Sequence, residues 1–184
     1  MAASHQAEGG DSERTSQLSA FSGARDEYLA AFRRVPPEAV GFRKEGDDYS
    51  LGGIAVHVNY VLEHYTNVLN TVIGADFREC RPEDPPELEE RARSRAASAM
   101  AYDDFAGELK RTEKLHLGVA EIVEAMTAGP ERKAPVWYPG ATEAYPTSVA
   151  DVLGWLSDHY REHIPHLEEL ATEWRATSAP STDR

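Results

Sequence analysis

Residues Ser148–Trp174 read SVADVLGWLSDHYREHIPHLEELATEW. On a period of 3.6 residues, Val149, Val152, Leu153, Leu156, Tyr160, Ile164 and Leu167 fall on one face, the signature of an amphipathic helix. Ser148 and Asp151 form a capping box at its start, where two backbone N–H groups would otherwise lack acceptors. His159 and His163 sit one turn apart within the apolar stripe. A lone histidine on a buried face is most often a hydrogen-bonded core residue. A pair at i and i+4 is the spacing that lets two imidazoles reach one metal ion. This helix therefore carries half of a metal site, and the rest must come from another element.

Upstream, Glu131–Pro146, ERKAPVWYPGATEAYP, reads as an irregular crossing in which Trp137, Tyr138 and Tyr145 serve as anchors or pocket walls. No strand is expected anywhere. Before it, Phe105, Leu109, Thr112, His116, Val119, Val123 and Met126 form the stripe of a third helix, which Gly129-Pro130 ends and which turns His116 inward. The same helix is expected to begin at Glu87, with a solvated Arg/Glu/Ala-rich part through Ala99. A Pro- and charge-rich linker, Asp76–Pro86, separates it from a second helix. That helix is capped by Ser50, presents Ile54, Val58, Val61, Leu62, Tyr65, Leu69 and Val72, and ends near Gly74. Gly52-Gly53 weakens its first turn, a cost that close backbone packing there would explain. Glu38–Tyr49 is a charged connection. The first helix, from about Glu13 to Arg34, carries Leu18, Phe21, Ala24, Tyr28, Leu29 and Phe32 and stops at Val35-Pro36-Pro37. Residues 1–12 and 176–184 are small and polar and are expected to be disordered, which leaves residues 13–175 as one domain. Four amphipathic helices in such a length make an all-α four-helix bundle, whose core is a usual place for a metal site.

Composition narrows the partners. With 19 Lys+Arg against 32 Asp+Glu, the net charge of -13 argues against nucleic acid and anionic membrane surfaces, both of which call for a basic face. No run of about 18 apolar residues offers a membrane span, and Met1–Glu13 lacks the apolar core of a signal peptide, so a cytoplasmic location is expected. The single cysteine, Cys80, cannot form an intramolecular disulfide and reads as an incidental exposed thiol in a polar loop.

The third ligand is left open by periodicity. His57, His64 and His116 all qualify, whereas His166 would reuse the last helix, converges poorly and follows Pro165; His5 belongs to the expected disordered start. His57 and His64 are seven residues apart, about 10 Å along a helix, so the two cannot both share one ion with a third helix. His57 in SLGGIAVHVNYVLEHY, followed by His159-x-x-x-His163 in DVLGWLSDHYREHIPHL, resembles the DinB-like superfamily. That superfamily includes metal-dependent hydrolases of the YfiT type and thiol-dependent S-transferases and isomerases. The resemblance covers roughly residues 14–174 and includes helix order, the Pro-terminated first helix and the long connection before the last. It implies an up-down-down-up four-helix bundle with a three-histidine metal site, its ligands being His57, His159 and His163.

Three protein ligands leave a position for water or substrate, the catalytic kind of site. The expected ion is divalent, zinc or nickel first, with iron or manganese also suited to imidazole. The expected activity is transfer of a low-molecular-weight thiol, or hydrolysis, on a small-molecule substrate. His64, His116, Tyr60 and Tyr160 are candidates for the pocket or for groups supporting the ligands; Glu63, Asp158 and Glu162 read as solvated charges. No general base is assigned. The competing reading is a non-catalytic metal-binding or stress-response module. Family members often pair, and an acidic helical chain is compatible with a homodimer. The coordinate sign of a shared ion is three histidine nitrogens within about 4 Å of one another, given bonds near 2 Å.

Overall fold

The computed structural model describes residues 2–178, with side chains from Asp11 onward. Five α-helices are present: α1 (Ala2–Phe32), α2 (Gly53–Gly74), α3 (Leu88–Ala96), α4 (Tyr102–Glu124) and α5 (Val149–Ser178). Two short antiparallel strands, β1 (Lys133–Val136) and β2 (Tyr145–Ser148), precede α5. The apolar stripes explain the packing. α1 lies mainly on α5 and α2 mainly on α4, while contacts of α2 with α5 and of α1 with α4 close the ring. Phe21, Tyr28 and Phe32 of α1, Ile54 and Leu62 of α2, Val119 and Val123 of α4, and Leu153, Leu156 and Leu167 of α5 are all buried in the shared core. Among the described residues no helix is long and apolar enough to cross a membrane.

Four local expectations are corrected. The third helix is not continuous, because Ser50 draws the chain away at Ala96. Its backbone N–H donates to the Ala96 carbonyl at 2.9 Å, and its hydroxyl lies 2.9 Å from the Ser98 carbonyl and 3.3 Å from that of Ala96. These tertiary bonds outweigh the helix propensity of the Ala-rich run and leave α3 as a separate short helix packed on α2. The same contact explains the glycine pair. A Cβ on Gly53 would stand 1.8 Å from the Ala96 carbonyl oxygen, so only glycine admits the approach. Ser50 Oγ also accepts from the Gly53 N–H at 3.0 Å, which gives Ser50 its expected capping role at the start of α2.

The second correction is the β-hairpin, which was not expected. Ala134 and Val136 alternate inward with Lys133 and Pro135 outward, and Pro135 stands opposite Pro146. Strands this short, each with a proline, leave little periodic signal. Third, Cys80 is buried rather than exposed. Its N–H donates to the Pro135 carbonyl at 3.1 Å and its carbonyl accepts from the Trp137 N–H at 3.0 Å, so the expected loop joins the hairpin edge. Burial pushes its thiol pKa up, away from reactivity. Fourth, α1 begins at Ala2, upstream of the start that periodicity marked near Glu13; a polar segment without an apolar stripe carries no periodic signal even when helical. The C-terminal segment expected to be disordered begins within α5, and residues 179–184 lie outside the described residues.

The start of α5 is as expected. The Ser148 N–H donates to Asp151 Oδ2 at 2.9 Å, and the Asp151 N–H donates to Ser148 Oγ at 3.1 Å. This reciprocal cap fixes where α5 begins, and with it the register of His159 and His163.

Candidate metal centre

His57 projects from α2, and His159 and His163 project from successive turns of α5, across the seam where the two helices meet. The ring centroids are 5.0 Å apart for His57 and His159, 5.1 Å for His57 and His163, and 4.6 Å for His159 and His163. One ring nitrogen from each lies within 4.8 Å of the other two. That bound is wider than the about 4 Å set by bonds near 2 Å.

The polar bookkeeping of these rings is unusual. His159 Nε2 and both ring nitrogens of His163 are buried without a hydrogen-bond partner. Buried polar atoms are nearly always satisfied, and each one left bare costs about 1–3 kcal/mol. His159 Nδ1, in contrast, faces Glu162 Oε2 at 3.5 Å, which leaves Nε2 as the inward atom. Burial pushes all three basicities down, and mutual repulsion adds to it for two of them. His57 falls to about 4, through burial and then His159; His163 falls to about 3, through burial and then His159 and His57; His159 is lowered by burial against the pull of Glu162. At neutral pH the rings are therefore uncharged, with lone pairs free for a cation. The donor set, its orphaned nitrogens and its protonation state fit a divalent metal.

The surroundings come from segments that periodicity passes over. Tyr49 stacks on His57 at a centroid distance of 4.6 Å and meets His163 edge-on at 6.2 Å. The loop carrying Tyr49 is buckled to α5 by Asp47, which accepts from the Tyr49 N–H at 3.1 Å and pairs with His166 Nε2 at 2.8 Å. Burial raises the Asp47 pKa, but the His166 and Tyr49 bonds outweigh it and the net shift is downward. A cavity of about 140 Å³ opens beside His57, lined by Tyr49, Tyr60, Glu89 and Arg93 among others. Glu89 and Arg93 form an ion pair on α3. Tyr49, Asp47 and Arg93 were missed in the sequence because they lie in a loop and on a solvated helix face, where spacing carries no information about the site.

The remaining candidates separate. His64 stands clear of the cluster, with Nδ1 2.6 Å from Asp84 Oδ2, and lines a cavity of about 570 Å³ together with Tyr60 and Tyr138. His116 is a core residue stacked on Phe21 at 3.9 Å, with Ser22 Oγ and the Tyr160 hydroxyl each 3.4 Å from its ring nitrogens. Tyr160 is likewise buried, against Tyr28 and Phe21. Tyr60 lines both the cavity beside His57 and the one beside His64. Glu63 pairs with Arg111, and Asp158 is exposed.

A family profile described as the DinB superfamily matches residues 20–167. Two solved structures of the mycothiol-dependent maleylpyruvate isomerase, one a histidine-to-alanine mutant, share the fold at a TM-score of 0.63 each, with 14% and 13% identity. Each match covers 84% of this chain and 60% of the isomerase chain, so the chain spans about three-fifths of the length of those proteins. No curated protein matches in sequence.

Proposed function

Since the chain belongs to the DinB superfamily, we propose that it holds a divalent metal ion at His57, His159 and His163 and acts there on a small molecule, with a low-molecular-weight thiol as cosubstrate. The observation that carries this reading is the set of partnerless ring nitrogens at His159 and His163. A core histidine kept for packing would resemble His116, which has a polar neighbour on each nitrogen; His163 has none on either nitrogen, and His159 has one only at Nδ1. Zinc and nickel suit three imidazoles best, with iron and manganese as alternatives.

When bound, such an ion stabilises a thiolate or a water-derived nucleophile at neutral pH. The protein's own residues do the rest. Their depressed pKa values keep the three imidazoles unprotonated, and Glu162 biases His159 toward presenting Nε2. Tyr49 covers one face of His57 and limits rotation of that ring. The cavity bounded by Tyr60, Glu89 and Arg93 gives a small molecule access beside His57, which favours an open reactive site over a sealed structural one. Arg93, paired with Glu89, stands at that mouth with guanidinium N–H groups that can donate to a substrate oxygen. Hydrolysis is the alternative use of the same centre. The isomerase likeness favours the thiol reaction, since that protein is described as mycothiol-dependent.

Cobalt substitution tests the choice. Adding N-acetylcysteine to the cobalt-loaded chain is expected to produce a sulfur-to-cobalt charge-transfer band that saturates with thiol. A spectrum unchanged by the thiol would contradict the thiol-dependent reading.

A further inference from the structure

His64 lies two turns along α2 from His57, and its surroundings form a built site of their own. Asp84 is held from two sides: Oδ2 is 2.6 Å from His64 Nδ1, and Oδ1 accepts from Asn67 Nδ2 at 3.2 Å. Asn67 also donates to the Glu83 carbonyl at 2.6 Å, which pins the loop to the helix. An imidazole whose Nδ1–H is committed to a carboxylate presents Nε2 as an acceptor. His64 Nε2 has no hydrogen-bond partner among the described residues, and the side chain lines the cavity of about 570 Å³.

The lining gives the chemistry of an occupant. Tyr60 and Tyr138 offer aromatic faces, and Pro85, Pro86 and Pro139 stiffen the rim, so little order has to be gained on binding. Across Tyr138 a second cavity of about 570 Å³ is walled by Tyr65, Tyr145 and Trp155, with Glu143 its one charged residue. Neither lining includes a lysine or arginine. Exposed carboxylates are expected in a chain of net charge -13, but Asp84 is different: its side chain is 19% exposed and fixed among aromatic rings. Glu89, the third carboxylate of the His64 cavity, is paired with Arg93, which leaves Asp84 and Glu83 without a lysine or arginine partner among the described residues. Two such carboxylates beside aromatic faces attract a positively charged group and repel an anion.

We propose that the cavity at His64, which adjoins the one beside His57 across Tyr60 and Glu89, is a ligand site in its own right, and that it takes a small protonated primary amine with an apolar body. Asp84 and Glu83 attract the ammonium group, His64 Nε2 accepts one of its N–H bonds, and Tyr60 and Tyr138 pack against the apolar part. This claim does not rest on metal at the other site.

Phenethylamine and phenylacetate share an apolar body and differ in charge, so they make the test. Each is titrated into the full chain at pH 7.5 while the His64 ring nitrogens are followed by NMR. The amine is expected to shift the His64 signals saturably and phenylacetate to leave them in place. Asp84→Asn is expected to weaken amine binding about tenfold or more, and Glu83→Gln about threefold. His159→Ala is expected to leave binding unchanged. Equal binding of the carboxylate, no shift at about 10 mM amine, or loss of binding in His159→Ala would each overturn the proposal. If Asp84→Asn loosens the loop, Glu83→Gln decides: its side chain is exposed, and unaltered affinity in that variant refutes the role given to charge.

Discussion

His116 and His163 are both buried histidines on helices, yet they mean different things. His116 has Ser22 and Tyr160 at its nitrogens and Phe21 against its ring, whereas His163 has imidazoles around it and no hydrogen bond. Spacing alone could not separate them, because both sit on apolar stripes. Each makes the fold sensitive to acid. Burial, followed by the Arg25 charge, takes His116 down to about 4, below the value near 6.5 of an unfolded chain. The unfolded state therefore binds the proton first as pH falls, so the contribution is intact above about 6.5 and is lost between 6.5 and 4. His57 and His163 act with the same sign in metal-free protein. Urea unfolding of the metal-free chain is expected to show stability falling between pH 6.5 and 4.5. In His116→Gln that slope should be shallower by roughly 1 kcal/mol per pH unit; an identical slope would refute the assignment.

At the level of elements, the four long helices were legible because each carries an apolar stripe, and the start of α5 was legible because Ser148 and Asp151 state their cap locally. The break between α3 and α4 was not. It is made by Ser50, more than 40 residues away in sequence, which takes the Ala96 carbonyl, and local propensity contains no trace of that bond. The hairpin before α5 was hidden for a related reason, since each of its short strands contains a proline and β1 is bonded along its other edge to Cys80, more than 50 residues away in sequence. Gly53 records the Ser50–Ala96 contact most sharply. Gly53→Ala forces a methyl onto a carbonyl oxygen and is expected to cost more than about 3 kcal/mol, or to prevent folding. Gly107→Ala within α4 meets no atom within 4 Å and is expected to stabilise by roughly 0.5–1 kcal/mol. Thermal unfolding of the two variants checks the contrast, and similar midpoints would contradict the close approach of α2 to Ala96.

Across the whole molecule, α1 with α5 and α2 with α4 form two helix pairs, and the histidine cluster spans the seam between them. A ligand joining His57 to His159 and His163 would tie the pairs together, so metal is expected to stabilise the fold as well as to support chemistry. The helix pattern and the resemblance were enough to place these three residues in one cluster; the groups that shape access to it, Tyr49, Asp47 and Arg93, became visible only once loop and short helix were folded against α2 and α5. Metal analysis of freshly purified chain, beside His159→Ala prepared in the same way, tests the central claim most directly. The account predicts about one divalent ion per wild-type chain, little in the variant, and a melting temperature that drops for wild type alone when a chelator is added. A folded wild-type protein free of metal, or equal metal in the variant, would contradict it.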